Sequence, residues 1–174
     1  MASGDPRLVI LDAGPLIHLD ELGQLRLLAG FAEILIPSVV WEEVRSHRPL
    51  LSLAGVPGAE VLDPAVKSPA RLQSLPLLAH LHPGECAALA LLLERGEGML
   101  LTDDDAARQS AETLGFAVTG TLGILLRGVR RRQLARLEAM AILRDIRSQS
   151  TLHVSRTLIA HCLKALGPDL PPQP

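Results

Sequence analysis

Aromatic side chains are nearly missing from this chain: no Tyr, one Trp and two Phe, or 2% of 174 residues. Binding of single strands by stacking base after base on aromatic platforms is therefore disfavoured, because the platforms are absent. Lysine is as scarce, at Lys67 and Lys164 alone. The net charge of −2 and pI near 6.3 lie below the basic balance usual for a dedicated nucleic-acid binder. A nuclease stays compatible with that balance when cations hold its carboxylates. No apolar run reaches the roughly eighteen residues of a membrane span, and CAALALLL is short enough to read as core helix. The start, MASGDPRLVILDAG, lacks a basic region followed by a long apolar stretch, so no signal peptide, no membrane partner and a cytoplasmic location are expected. Cys86 and Cys162 form no CxxC pair and read as small buried hydrophobes of a reducing compartment. His80 and His82 precede Cys86 closely, but a zinc site there would lack a fourth ligand and the usual spacing.

Aliphatic residues fill the space that aromatics leave. Hydrophobic residues make up 48% of the chain, and its length suits one domain with a sizeable core built from Leu, Val, Ile and Ala. RLVIL (7–11) is a β-branched apolar run ending in Asp12-Ala-Gly-Pro, a buried strand followed by a helix start with Pro15 in its first turn. AEILIP (32–37) predicts a second strand and SVVWEEVRSH (38–47) a helix capped by Ser38. AEVLDP (59–64) reads as a third strand within 48–76, the least regular region. HPGECAALALLLERGEG (82–98) predicts a helix with Pro83 near its start and glycines at its end. GMLLTD, DDAARQSAETLG and FAVTG continue as strand, helix and strand, and TLGILLRGVRRR, RQLARLEAMAILRDIR and SRTLIAHCLKAL as C-terminal helices. A single domain over 1–166 with a mobile tail at 167–174 follows. Alternating strands and helices imply a three-layer α/β/α sandwich with a central, mainly parallel sheet, whose ligands bind beyond the carboxyl ends of the strands.

The acids gather at that edge. Asp12 and Asp103 end the first and fourth strands, although Asp12 before Gly-Pro also suits a helix cap. Glu85 shares a helix face with Ala88, Leu89 and Leu92, so it points inward from the first turn. Favourable placement beside the helix N-terminus is worth roughly 0.3–1 kcal/mol and does not require the inward face. Glu43 borders the apolar side of its helix, while Glu42 points to solvent. Within LLTDDDAAR, Thr102-x-x-Asp105 resembles a capping box, which leaves Asp103 and Asp104 for chemistry and open which of them makes the contact. Four carboxylate-bearing segments converging on one edge repel one another unless cations sit among them. Oxygen-only donors suit hard Mg²⁺ or Mn²⁺, ions that activate water and stabilise a leaving phosphodiester oxygen.

These motifs resemble, in order, those of the PIN domain family: LVILDAGPLI, IPSVVWEEV, GECAALALLLERG, LLTDDDAAR and VTGTLGILL. The resemblance covers about residues 7–165 and points to a prokaryotic branch of PIN-like proteins described only as predicted nucleic-acid-binding proteins. It implies an α/β/α sandwich, often with Mg²⁺- or Mn²⁺-dependent RNA cleavage. Many relatives are toxins of toxin–antitoxin pairs and many are dimers, so the resemblance implies an RNA substrate, an antitoxin partner and a homodimer. By position, Asp12, Glu43, Glu85 and Asp103 or Asp104 match the family acids as catalytic residues, with Asp12, Glu85, Asp103 and Asp104 as metal ligands. Thr121 falls near a further polar or acidic position of some relatives, yet FAVTGTLGILL carries no acid.

Arg108, with Arg130, Arg131 and Arg132 of the RGVRRRQLAR run (127–136), would contact phosphates; the run reads equally as a solvated helix face. Arg45 is a weaker candidate of the same kind. Two other functions compete with a metal-dependent endoribonuclease. One is a non-catalytic PIN-like module that binds RNA or protein with an incomplete acid set. The other is a phosphotransfer protein, which fits poorly, because no DxDx[TV] follows the first strand and no lysine stands at a strand end.

Overall fold

The computed structural model describes residues 6–167, so the expected tail lies outside the described residues from position 168 onward. Five strands form one all-parallel sheet: β1 (Leu8–Leu11), β2 (Glu33–Ile36), β3 (Ala59–Val61), β4 (Met99–Leu101) and β5 (Ala117–Thr119), in the order β3-β2-β1-β4-β5. The register sets Val9 beside Ile34 on one side and Met99 on the other. The helices are α1 (Ala13–Glu21), α2 (Ser38–His47), α3 (Ala70–Gln73), α4 (Pro83–Arg95), α5 (Asp105–Thr113), α6 (Thr121–Arg130), α7 (Arg136–Gln149) and α8 (Arg156–Ala165). Among the described residues, no helix is long and apolar enough to cross a membrane.

The strands read as unbroken apolar runs because both faces of the sheet are covered. Val9, Leu11, Ile34, Ile36 and Leu101 point into one core, with side chains of α1, α2, α6 and α7. Ile10, Leu35 and Leu100 point the other way, into a core closed by Leu72 of α3, Leu89 and Leu92 of α4, and Ala107 and Ala111 of α5. Each fully buried Leu or Ile stabilises the fold by roughly 1.5–3 kcal/mol, so two leucine-rich layers hold the sandwich without aromatics. One aromatic has a special role. Phe31, just before β2, lies under the Arg127 guanidinium at 4.0 Å, and that side chain also donates to the Gly30 carbonyl at 2.8 Å.

Local start and stop chemistry refines the element ends. Gly96 closes α4 in the left-handed region (φ 71°), a conformation glycine adopts without steric cost. Ser38 is not the cap of α2, as its residue type suggests. It is the first helical residue, and its backbone N–H and hydroxyl each donate to the Asp63 carboxylate at 2.8 Å. A side chain from the loop after β3 therefore supplies the cap. Strand order reverses between β1 and β4, since the chain runs outward through β2 and β3 before returning to the far side of β1. That switch point opens a crevice at the carboxyl edge.

Candidate active site

Asp12 leaves β1 at that crevice, its backbone N–H still bonded to the Leu101 carbonyl of β4 at 3.0 Å. It occupies the cap position of α1, yet its side chain makes no capping bond. Instead, Oδ2 accepts the Thr102 hydroxyl at 2.9 Å inside the protein. Thr102 is fully buried, and its oxygen also accepts the Asp104 backbone N–H at 3.2 Å. One hydroxyl thus couples the ends of β1 and β4.

The capping box expected from Thr102 and Asp105 is not what forms. Asp104 is the cap of α5, its Oδ1 accepting the Ala107 N–H at 2.8 Å, and Asp105 is the exposed first helical residue. Thr102 still belongs to the strand end, where a buried carboxylate is the nearer partner for its hydroxyl.

Asp103 turns away from this pair. It accepts the Thr121 N–H at 2.7 Å, the Thr121 hydroxyl at 2.6 Å and His18 Nδ1 at 2.8 Å. A carboxylate has only acceptors, so the imidazole must donate from Nδ1. Asp103 thereby caps α6 from outside and ties it to α1. His18 carries no signal in the sequence, because this contact spans 85 positions. Thr121 carried a weak one as a polar residue opening the last βα unit.

Glu85, in the first turn of α4, is 7% exposed, and its Oε2 accepts the His82 N–H at 2.7 Å. It therefore both caps its helix and faces inward. Burial pushes its pKa up to about 7 against the pull of the His82 N–H, with Asp104 and Asp12 adding to the rise. Burial likewise raises Asp12 to about 6, opposed by the Thr102 hydroxyl and the Ala13 N–H and reinforced by Glu43 and Asp104. Asp12, Glu43, His47, His82, Gly84 and Glu85 line a cavity of about 440 Å³. A Cβ at Gly84 would stand 3.1 Å from Val40 Cγ2, 3.6 Å from Glu43 Oε2 and 3.7 Å from Asp12 Oδ1, so only glycine keeps that wall clear of the acids. Glu42 faces a separate surface depression with Arg45 and Ser46.

The structure thus brings Asp12, Glu43, Glu85 and Asp104 to one crevice and sets Asp103 beside it. Arg108 is near, donating from Nη2 to the Thr102 carbonyl at 3.3 Å. Arg130, Arg131 and Arg132 are not near. Arg130 ends α6, and Arg131 and Arg132 follow it, at the end of a helix that runs about 15 Å back from the carboxyl edge. Among the described residues, no Lys or Arg forms an ion pair with any acid of the crevice. Two buried carboxylates without a cationic partner are costly, and hard oxygen donors of this kind suit a divalent cation. As they stand, no three His, Cys, Asp or Glu among the described residues are gathered tightly enough to hold an ion, the His80–His82–Cys86 segment included.

No curated protein matches the chain. A family model described as DUF3368: PIN domain matches residues 8–168, so the chain belongs to the PIN domain family, whose members are generally nucleases.

Proposed function

We propose that this protein is a divalent-metal-dependent endoribonuclease that hydrolyses RNA phosphodiester bonds. The observation that carries this reading is the pair of buried acids, Asp12 and Glu85, at the sheet's switch point, both raised in pKa and neither ion-paired to a Lys or Arg among the described residues. Asp12, Glu85 and Asp104 would hold Mg²⁺ or Mn²⁺. When bound, the ion supplies an activated water and stabilises charge on the leaving oxygen.

The chain's own residues do the rest. Thr102 fixes the rotamer of Asp12 and, through the Asp104 N–H, the start of α5. Gly84 leaves room beside Asp12 and Glu43. Glu43, exposed at the mouth, would take a proton from an attacking water. Asp103 is engaged by His18 and Thr121, so it acts as a positioning residue and Asp104 as the ligand of the pair. Arg108 would clamp a phosphate.

The role as toxin of a toxin–antitoxin pair, with an antitoxin and a homodimer, rests on the family resemblance alone. One observation favours a second reading, a PIN-like module that binds RNA or protein without cutting: no ready-made cation site exists among the described residues. Titration calorimetry with Mn²⁺, paired with cleavage of a labelled RNA, separates the two. The nuclease reading requires metal binding and Mn²⁺-dependent cleavage, both lost in Asp12→Asn and Asp104→Asn. RNA affinity without metal binding would instead establish the module.

A further inference from the structure

A groove of about 660 Å³ lies outside the acid crevice, between α6 and α8 and against the end of β5. It falls within the roughly 300–1,000 Å³ of sites that take organic ligands. Asp103 forms the partition: it lines this groove on one side, and on the other it lies 3.5 Å from where a Cβ of Gly14 would stand in the acid crevice. The groove is therefore continuous with the carboxyl edge that holds the acids.

Its lining has two halves. Arg108, His153 and His161 present nitrogen donors, and Leu122, Leu126 and Leu158 present apolar surface. Arg108 makes no ion pair among the described residues, although Asp105 shares the rim. Leu158 is 46% exposed, unusually open for a leucine on a groove wall. Glycines keep the floor low: a Cβ at Gly120 would meet Asp103 Oδ1 at 2.5 Å, and one at Gly123 would meet the Thr119 hydroxyl at 2.0 Å.

We propose that this groove holds the nucleotides next to the scissile phosphate of a single-stranded RNA, with bases against the leucines and a phosphate on Arg108. The inference rests on the nuclease reading and adds where the substrate strand runs. A duplex hides its base faces, so apolar walls of this kind are matched by an unpaired strand. Leucines bury any base by area alone, so the contact tolerates sequence, and it replaces the aromatic platforms this chain lacks. An apolar protein segment would satisfy the leucines but leave Arg108 without a matched anion.

The test uses the full chain carrying Asp12→Asn, which leaves the RNA uncut, and a short mixed-sequence oligoribonucleotide. Leu158→Glu is expected to weaken binding at least fivefold by fluorescence anisotropy, while Leu137→Glu, on α7, also exposed (57%) but outside the groove, leaves it unchanged. Arg108→Gln is expected to lower the salt-dependence slope by about one. Methyl NMR of the Leu126 and Leu158 signals needs no groove substitution, and both should shift on titration. Equal affinities for the two glutamate variants, or unmoved methyls at saturation, overturn the proposal, as do methyls that move only with a protein partner. Shifted methyls, with no Mn²⁺-dependent RNA cleavage by the chain carrying Asp12, would sink the nuclease reading and keep the groove.

Discussion

Replacing Asp12 by Asn should make the metal-free protein more stable at pH 8 while abolishing cleavage. Burial raises the Asp12 pKa from 3.8 to about 6, so keeping it ionised inside the fold costs about 3 kcal/mol. The sign follows from proton linkage. A carboxyl with a raised folded pKa contributes fully below its unfolded value near 4, and that contribution is lost as pH rises through about 6. Glu85, raised from 4.5 to about 7, extends the loss to a higher pH. Asn has nearly the same shape, carries no charge, and can still accept from the Thr102 hydroxyl. Part of the gain is offset because its amide nitrogen lacks an evident acceptor, leaving about 1–2 kcal/mol, or several degrees in Tm for a chain of this size. The assay is urea unfolding with a chelator present, for both proteins at pH 4.5 and pH 8. Asp12→Asn should be the more stable at pH 8 and equal or less stable at pH 4.5. A variant equally destabilised at both pH values would refute the claim that Asp12 is a desolvated, uncompensated charge. The same exchange should lower the pKa of Glu85, which Asp12 helps to raise.

Other outcomes follow from the same geometry. Asp104→Asn should remove Mn²⁺ binding in calorimetry, whereas Asp103→Asn should retain it and instead loosen α6, seen as faster amide exchange at Thr121. Thr102→Val deletes the bond to Asp12 and the acceptor for the Asp104 N–H, which should cost about 1–3 kcal/mol in denaturant unfolding and raise the Asp12 pKa further. Gly84→Ala places a methyl 3.1 Å from Val40 Cγ2 and close to two acids, so metal affinity should fall at least tenfold with little loss of Tm. Arg127→Met removes the contact over Phe31 and the bond to Gly30, far from the crevice, and should cost about 1–3 kcal/mol with Mn²⁺ affinity unchanged.

The arrangement also accounts for the acidic balance that argues against a nucleic-acid binder. Arg130 and Arg131 sit at the end of α6 remote from the crevice, with Arg132 next in the chain, whereas Arg108 lies beside it. Affinity for a polyanion would then come from a cation in the crevice and from apolar contact in the adjoining groove, with a shallow dependence on salt.

Much of this protein was legible one segment at a time. Apolar runs such as LVIL and EILI, with no polar alternation, announced strands buried on both faces, and the alternation with helices announced a parallel sheet. The inward face of Glu85 followed from its spacing to Ala88, Leu89 and Leu92, a periodicity that exists within one helix. Where a feature depends on which segments become neighbours, spacing is silent. Ser38 has the residue type of a cap, but Asp63, 25 positions away, does the capping. Along the chain, Thr102 and Asp105 read as a capping box, and Asp103 and Asp104 could not be told apart. Only the parallel pairing of β1 with β4 gave the Thr102 hydroxyl to Asp12, and only the packing of α1 and α6 gave Asp103 to His18 and Thr121. Local sequence determined which elements form and which way their side chains point. Tertiary structure decided which carboxylate meets a hydrogen-bond donor and which stays buried without a countercharge, because desolvation and hydrogen bonding depend on neighbours that a linear chain does not specify.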